Sequence, residues 1–384
     1  MIFGIYILRI TTFIMLFFSL PTHAHQLSDS YLRITATDEN PKYIARWHLG
    51  IKDLEMAVGI DKNHDGDITW GEVLDQENTI IQYARSSLDV QQQSLSCPLE
   101  ISPIALDRLN SGIFIALDMT LLCSSNAPIS IRYTPLFALD QSHRGIVTYI
   151  DTKGEHVSVI GPDNTTLVLH TPENSTWVTF WQFIKQGIWH IWIGFDHILF
   201  LLALLLPSVL SRHHNRWIAR TNVKPVFTDV LAIVTTFTIA HSITLLAATL
   251  QWITLPIDIV EIIIALSVGI AGLHMLYPIA HQRRWVFAFG FGLIHGFGFA
   301  SVLGDLNLPS QAFWSSIIGF NLGVEVGQLV IVGALLPLIY GIRGTTIYRQ
   351  WILPTSACLM IIIGTLWAVE RSFSMELINW VARI

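Results

Sequence analysis

The sequence predicts a polytopic α-helical membrane bundle of six spans, preceded by an exported all-β, sandwich-like domain with an EF-hand-like loop set into it. Three observations carry this fold class. The 384 residues are 52% hydrophobic and only 13% charged, with a mean hydropathy of +0.52, a composition for lipid rather than water. Apolar runs of span length crowd the second half, whereas residues 31–160 read as short alternating segments separated by turn signals. Basic residues fall in every second loop between the apolar runs. Net charge is −6 and no basic face stands out, so nothing points to a nucleic-acid partner. No phosphate-cradling Gly-rich motif accompanies the spans, which argues against an ATP-driven pump.

Residues 1–24 read as a secretory signal: Arg9, the apolar stretch Ile10 to Leu20, then Pro21 and a Thr22-His23-Ala24 ending suited to cleavage. An uncleaved anchor gives the same topology, because either way residues 25–176 are exported, to the periplasm of a bacterium. Cleavage leaves His25 first, and a free amino group beside an imidazole can chelate Cu²⁺ or Ni²⁺; a frayed terminus is the simpler reading. Outside the cytoplasm Cys97 and Cys123 are expected to pair, while Cys358 stands alone in an apolar helix.

Six runs read as strands of an antiparallel sandwich: Tyr31 to Thr37, Tyr43 to Ile51, Ile113 to Leu122, Ile129 to Tyr133, Ile146 to Asp151 and His156 to Ile160. Into them is set a segment with oxygen-bearing side chains at EF-hand positions 1, 3 and 5 (Asp61, Asn63, Asp65), Gly66 at 6, Asp67 at 7, Thr69 at 9 and Glu72 at 12. That is a full calcium-loop pattern, in which Gly66 makes the sharp turn, Asp67 offers its carbonyl and Glu72 binds through both oxygens. Asp53 to Gly59 reads as the entering helix and Trp70 to Leu88 as the exiting one. A solvated Asp/Gly turn is the bland alternative. Because the loop is single and EF-hands work in pairs, a weak structural Ca²⁺ site is expected rather than a sensor.

The membrane runs are 183–206, 229–250, 258–276, 286–304, 312–340 and 351–369. Loops 207–228, 277–285 and 341–350 hold Arg212, Arg216, Arg220, Lys224, Arg283, Arg284, Arg343 and Arg349, and loops 251–257 and 305–311 hold no Lys or Arg. The positive-inside rule therefore places residues 25–176 outside, in agreement with the signal.

Polar groups recur within these runs. The first contains His190, Asp196 and His197; as one continuous helix, its seven-residue spacing puts both imidazoles on one stripe about 10 Å apart, beside Gly187 and Gly194. The second has Thr238, His241 and Ser242, the third Asp258 and Glu261, and the fourth His295 among Gly290, Gly292, Gly296 and Gly298. The fifth has Asn321, Glu325 and Gln328 at i, i+4 and i+7. Asp196, Glu261 and Glu325 are read as facing no fixed cation, hence as protonated, hydrogen-bonded or bound to a mobile positive ion. Counting from helix midpoints at about 1.5 Å per residue puts His197, His241, His295 and Glu325 near mid-membrane, and His190 and Glu261 roughly 7–9 Å farther out.

Each group has a plainer role to set against a ligand role. His274, Thr238, Asn321 and Gln328 taken alone could be interhelical hydrogen-bond fasteners. Asp258 suits an N-cap, and His213, His214 and His281 suit solvated loops. Six ionisable groups in four spans are harder to explain as fasteners, since each is expensive in lipid. Imidazole with carboxylate and no thiolate pair fits Ni²⁺, Co²⁺ or Zn²⁺ better than Cu⁺, and is too rich in nitrogen for Mg²⁺ or Ca²⁺.

Five ordered blocks strengthen this reading: His190-x5-Asp196-His197-Ile-Leu-Phe, Phe237-Thr-x-Ala240-His241-Ser242-x-Thr244-Leu, Glu261-x3-Ala265-Leu-Ser267, Phe291-Gly292-Leu-x-His295-Gly296-x-Gly298-Phe and Phe320-Asn321-x-Gly323-Val-Glu325-x-Gly327-Gln328. Over about 177–370 they resemble the HupE/UreJ family, whose members are regarded as secondary permeases for nickel or cobalt associated with hydrogenase and urease systems. The resemblance implies His190, Asp196 and His197 as the signature metal-handling group, with His241, Glu261, His295 and Glu325 in the accompanying blocks. Ile191 stands where the family pattern has Pro, and the exported domain resembles that of a longer subgroup rather than the compact members.

The expected function is thus an inner-membrane transporter or channel for a divalent transition metal. His190 and Glu261 would capture the ion; Asp196, His197, His241, His295 and Glu325 would hold it, with Ser242, Asn321 and Gln328 in support. Two other classes stay open. An intramembrane zinc hydrolase would use three His and an Asp as ligands and a carboxylate such as Glu325 to activate water. A non-catalytic assembly factor or sensor would work through the exported domain.

Overall fold

A computed structural model describes residues 28–37, 42–93, 95–123, 127–151, 154–169, 176–213, 216–277, 284–305 and 310–373. The signal reading for 1–24 and the readings for His25, His214 and His281 lie outside these residues, as do the side chains of His213 and Asp258.

The first half folds as a β-domain of two facing sheets. Chain order runs β1 (Asp29–Ala36), β2 (Lys42–Gly50), α1 (Ile51–Val58), α2 (Trp70–Asp75), α3 (Glu77–Ser87), β3 (Leu88–Gln92), β4 (Leu95–Ser96), β5 (Leu99–Ile101), β6 (Ala105–Leu109), β7 (Gly112–Leu122), β8 (Ile129–Tyr133), β9 (Arg144–Asp151), β10 (Gly154–Ile160) and β11 (Thr166–Val168). The larger sheet has the order β10-β9-β1-β2-β7-β5 with β6 also on β7, and the smaller is β11-β8-β3-β4. Alternation in β2 and β7 turns Tyr43, Ala45, Trp47, Ile115, Leu117 and Met119 inward, where they meet Val90, Ile129, Ile131 and Tyr133 of the smaller sheet. Leu54, Val73, Ile80 and Ala84 seal the same core from the helical insertion.

Two expectations need correction. The larger sheet is mixed, because β1 pairs β9 in parallel, with Tyr31 opposite Ile146. The chain returns to β1 only after the helices and the smaller sheet, a long crossover that antiparallel alternation does not reveal. The single exiting helix over 70–88 is two helices, broken at Gln76, and Leu88 already opens β3. Cys97 and Cys123 form a disulfide with Cα atoms 4.7 Å apart, joining the ends of β4 and β7.

The helical domain comprises α4 (Thr176–Ile193), α5 (Phe195–Leu205), a hairpin of β12 (Leu210–His213) and β13 (Arg216–Ala219), α6 (Val223–Thr249), α7 (Ile257–Leu276), α8 (Arg284–Asp305), α9 (Ser310–Ile342) and α10 (Leu353–Phe373). Among the described residues four helices are long and apolar enough to cross a membrane: Val223–Thr249, Ile259–Leu276, Phe313–Ile342 and Tyr348–Phe373. The chain is a multi-pass membrane protein.

The run 183–206 is not one helix. It breaks at Gly194, and the two pieces are bent by 72°. Gly194 leaves helical geometry with ψ 94°, and Asp196 Oδ1 accepts from the His197 backbone N–H at 2.8 Å, so the new helix starts with its own carboxylate over its first turn. A Cβ at Gly194 would stand 2.7 Å from His197 Nδ1 and 2.9 Å from the His190 carbonyl, so no larger residue fits this corner.

Three helix pairs pack most closely, α4 with α9, α6 with α8 and α7 with α10. Gly187 lies directly against the backbone of Phe320 and Gly323, and Gly296 against the His241 carbonyl, so small residues set these approaches. The larger sheet rests on the helix ends: Tyr31, Phe114, Ile146 and Val157 share one buried cluster with Phe183, Ile191, Leu245, Phe299 and Phe320.

Candidate metal centre

Four helices bring one imidazole each to a single dry spot. His190 ends α4, His197 starts α5, His241 is two-thirds along α6, and His295 is midway along α8. Their exposures are 9%, 6%, 0% and 1%. The break at Gly194 corrects the expectation of two imidazoles about 10 Å apart on one stripe. Instead α5 turns back, and the rings of His190 and His197 lie 4.7 Å apart. His190 is therefore part of the central cluster rather than an outer station. His197 and His295 are 4.9 Å apart, and His190 and His241 6.4 Å, between ring centres.

Hydrogen bonds decide which nitrogens can act. His197 Nδ1 donates to Asp196 Oδ1 at 2.9 Å, His241 Nδ1 to Asn321 Oδ1 at 3.1 Å, and His295 Nδ1 to the Phe291 carbonyl at 2.9 Å. Asn321 is oriented in turn, since its Nδ2 donates to the Ile317 carbonyl at 2.9 Å. With Nδ1 carrying the proton, Nε2 of each ring keeps a lone pair, and each of those three Nε2 atoms is buried without a partner. Both ring nitrogens of His190 are likewise unpartnered. One nitrogen from each of His190, His197 and His241 lies within 4.8 Å of the others. Ligand nitrogens around a tetrahedral metal stand about 3.4 Å apart, so a small inward turn of the rings would complete a three-imidazole site.

Aromatic walls keep the spot dry. Phe299 and Phe320 stack 4.1 Å apart and flank His190 at 5.1 and 5.3 Å; Phe237 and Phe200 lie 5.4 and 5.6 Å from His295. These rings are not singled out by the sequence reading, although Phe200, Phe237, Phe299 and Phe320 all sit within its motif blocks.

The carboxylates divide. Asp196 belongs to the cluster through His197. Glu325 does not contact an imidazole through its hydrogen bond: its Oε1 accepts from Thr235 Oγ1 at 2.8 Å. Glu261 is not without a cation, because α10 continues past the apolar run to Arg371, whose Nε is 4.0 Å from Glu261 Oε2 and whose Nη1 donates to the Glu261 carbonyl at 2.6 Å. Gln328 Oε1 accepts from Thr238 Oγ1 at 3.3 Å. Ser242 points back to the Thr238 carbonyl of its own helix, so it is a helix-internal hydroxyl rather than a site group. Thr235 was legible in principle, three residues before Thr238 on the same face.

In the loop 61–72 the carboxylates fold onto the backbone. Asp61 Oδ1 and Oδ2 accept from the N–H groups of His64 and Gly66 at 2.7 and 2.9 Å, and Asn63 Oδ1 and Asp65 Oδ1 accept from Asp65 and Asp67 at 2.8 and 2.9 Å. Thr69 and Glu72 form a capping box that starts α2. Gly66 has φ +87°, the left-handed turn that this position demands.

No curated protein is similar enough to match the chain. Residues 165–371 match the family described as HupE / UreJ protein, a membrane, permease-like group, and the match takes in α4 to α9 with every imidazole of the cluster. That is more than half of the sequence, and the chain belongs to the HupE/UreJ family.

Proposed function

We propose that the protein is a secondary transporter or channel for a divalent transition-metal ion, Ni²⁺ or Co²⁺ first and Zn²⁺ as the alternative. The observation that carries this is the half-satisfied state of the cluster: His197, His241 and His295 each have Nδ1 held by an acceptor and Nε2 buried without one. Orienting one ring nitrogen through a hydrogen bond while the other faces a cation is how metal-binding imidazoles are arranged. His190, His197 and His241 would hold the ion, His295 would extend the path beside His197, and Asp196 and Asn321 would orient the rings. Protons compete for the same lone pairs, so binding weakens as pH falls, which suits release by protonation.

In this reading α4 and α5 form one broken span and α6 to α10 five more, with the Arg-rich loops cytoplasmic and the β-domain periplasmic. Broken helices at a binding site are a recurring transporter device. The hydrolase reading is less well supported, because it needs a carboxylate poised over the metal and Glu325 is engaged by Thr235. Glu325, Gln328, Thr235 and Thr238 line the α6–α9 contact beside the cluster and would serve as the next polar station. Uptake of radioactive Ni²⁺ or Co²⁺ into vesicles should drop to background on His197→Ala or Asp196→Ala; unchanged uptake with normal folding would defeat the proposal. The loop 61–72 we read as a weak calcium site that stiffens the β-domain, with Asp61, Asn63, Asp65, Thr69 and Glu72 offering side-chain oxygens and Asp67 its carbonyl.

A further inference from the structure

From the β-domain side the imidazole cluster is walled by apolar rings. Phe299 and Phe320 stack beside His190, and they share one buried cluster with Tyr31, Phe114, Ile146 and Val157 of the larger sheet. That wall offers an ion little to replace its hydration shell. Charged side chains that still reach the surface lie on another flank. Asp196, Glu261 and Arg371 keep 19%, 18% and 16% of their side-chain exposure, against 9% or less for each imidazole of the cluster.

These three groups come from helices that pack on one another. Asp196 lies in the first turn of α5, Glu261 in the second turn of α7 and Arg371 in the last turn of α10. Asp196 also accepts from His197 Nδ1, so this flank adjoins the cluster. Glu370, next to Arg371 in the chain, adds a further acid to the same helix end. Acids outnumber the one base, and the flank attracts cations.

The base already occupies it. Arg371 Nη1 donates to the Glu261 carbonyl at 2.6 Å, while Nε stands 4.0 Å from Glu261 Oε2. The second separation is a pairing of charges and not a hydrogen bond, so the carboxylate can leave it without breaking one. The same positive charge acts on Asp196 and His295. A guanidinium does not deprotonate in proteins, so it can only be displaced. An ion of single charge gains nothing over the guanidinium it would replace at Glu261; a doubly charged ion draws twice the attraction from the same carboxylate.

We propose that Arg371 is a tethered cation that fills the acidic flank beside the cluster and yields Glu261 to an incoming dication, which makes it a residue that selects for charge. The proposal rests on the metal-binding reading of the cluster.

The test is Ni²⁺ titration of the full-length protein in detergent against a chromophoric chelator, with thermal unfolding measured in parallel. Arg371→Gln should bind Ni²⁺ about tenfold more tightly than wild type, even though losing its contacts to Glu261 lowers the melting temperature without metal. Arg371→Lys, which keeps the charge and gives up the fork, should stay near wild-type affinity. Glu261→Gln should cost more affinity in the Arg371→Gln background than in wild type, where the carboxylate must first leave the guanidinium. An ordinary tie between α7 and α10 predicts the opposite sign, a weaker site in Arg371→Gln. Unchanged or weaker binding by a folded Arg371→Gln protein, equal tightening in Arg371→Lys, or equal costs of Glu261→Gln in both backgrounds would each overturn the proposal. Wild-type protein that binds no Ni²⁺, Co²⁺ or Zn²⁺ would sink the metal reading itself, whereas wild-type binding indifferent to Arg371 would sink this proposal alone.

Discussion

The β-domain and the helical bundle each bury histidine, and they furnish it differently. His143 is fully buried, with Nδ1 2.5 Å from Ser28 Oγ and Nε2 3.0 Å from the Tyr133 hydroxyl and 3.3 Å from Ser30 Oγ. Ser30 and Tyr133 also bond each other. Every nitrogen there is engaged, and burial pushes the imidazole down to about 4, so it is a neutral tie between β1 and the loop before β9. In the bundle His197, His241 and His295 each have one nitrogen tied and its twin buried without a partner, and neither nitrogen of His190 is tied. Burial alone is therefore no signature of a ligand; half-satisfaction is.

The largest effect should come from removing one ring on each side of that comparison. His197→Ala is expected to abolish bound metal in the purified protein and uptake in vesicles. His143→Ala should leave both intact while lowering the stability of the β-domain by about 1–3 kcal/mol, the range for leaving buried hydroxyls unpaired. Metal analysis beside thermal unfolding reads both, and a His143→Ala protein that folds yet no longer binds metal would break the distinction.

Next come the groups that aim the rings. Asp196→Asn keeps an oxygen for His197 Nδ1 and loses the charge, and Asn321→Ala frees His241. Each should weaken metal binding by roughly 10–100-fold, the usual effect of losing a ligand's orienting partner, with the fold kept. Wild-type affinity in both variants would mean that these hydrogen bonds only fasten helices.

Much of this centre could be read from the residues. His190, Asp196, His197, His241 and His295 are conspicuous because ionisable groups are rare in spans, and four rings do converge. The break at Gly194 could not be read, since glycine is also tolerated inside membrane helices and no proline marks the corner; Gly194 becomes the N-cap of α5, and Asp196 in the first turn accepts from the His197 N–H. Periodicity assigned Asn321, Glu325 and Gln328 to one stripe, yet a stripe fixes a face and not a partner, and only Asn321 bonds an imidazole. Arg371 escaped because the helix outruns its apolar segment. In the β-domain the missed strands are β3, β4, β5, β6 and β11: β4, β5 and β11 have two or three residues, too short for alternation to register, and β3 and β6 carry one β-branched residue between them, Val90.

The pH response sharpens the comparison on the β-domain side. Burial raises Asp29 to about 7, with Asp53 adding repulsion, and burial raises Asp53 to about 6. Both carboxyls hold a proton in the folded state that the unfolded chain releases near 4, so their contribution is complete at acid pH and is lost as pH climbs towards 7. His143 acts the other way: the unfolded imidazole charges below about 6.5 and the folded one resists, so its contribution shrinks as pH falls from there to about 4. Two groups outweigh one, and the β-domain should become less stable as pH rises from 5 to 7. Asp29→Asn should flatten the slope of melting temperature against pH and His143→Gln should steepen it; an unchanged slope in both would show that this buried network does not set the response.

The smallest effect belongs to the loop 61–72, where the same logic of half-satisfied groups applies to oxygen. Glu72 Oε2 is engaged by Thr69, while Oε1 is buried without a partner and remains for a cation. A lone extracellular calcium module binds with a dissociation constant of roughly 10⁻⁴–10⁻³ M, so at about 2 mM Ca²⁺ mass action stabilises the folded form by about 0.6–1.8 kcal/mol, a shift of a few degrees. Glu72→Gln separates this from helix capping, because glutamine at the third helical position can still close a capping box while a neutral amide is a poor calcium ligand. The variant should therefore match wild type in chelator and fail to gain in Ca²⁺, whereas Asp65→Asn, which removes one charge but keeps an oxygen for the Asp67 N–H, should keep part of the gain. A wild-type melting temperature indifferent to Ca²⁺ would reduce the segment to a well-capped acidic turn.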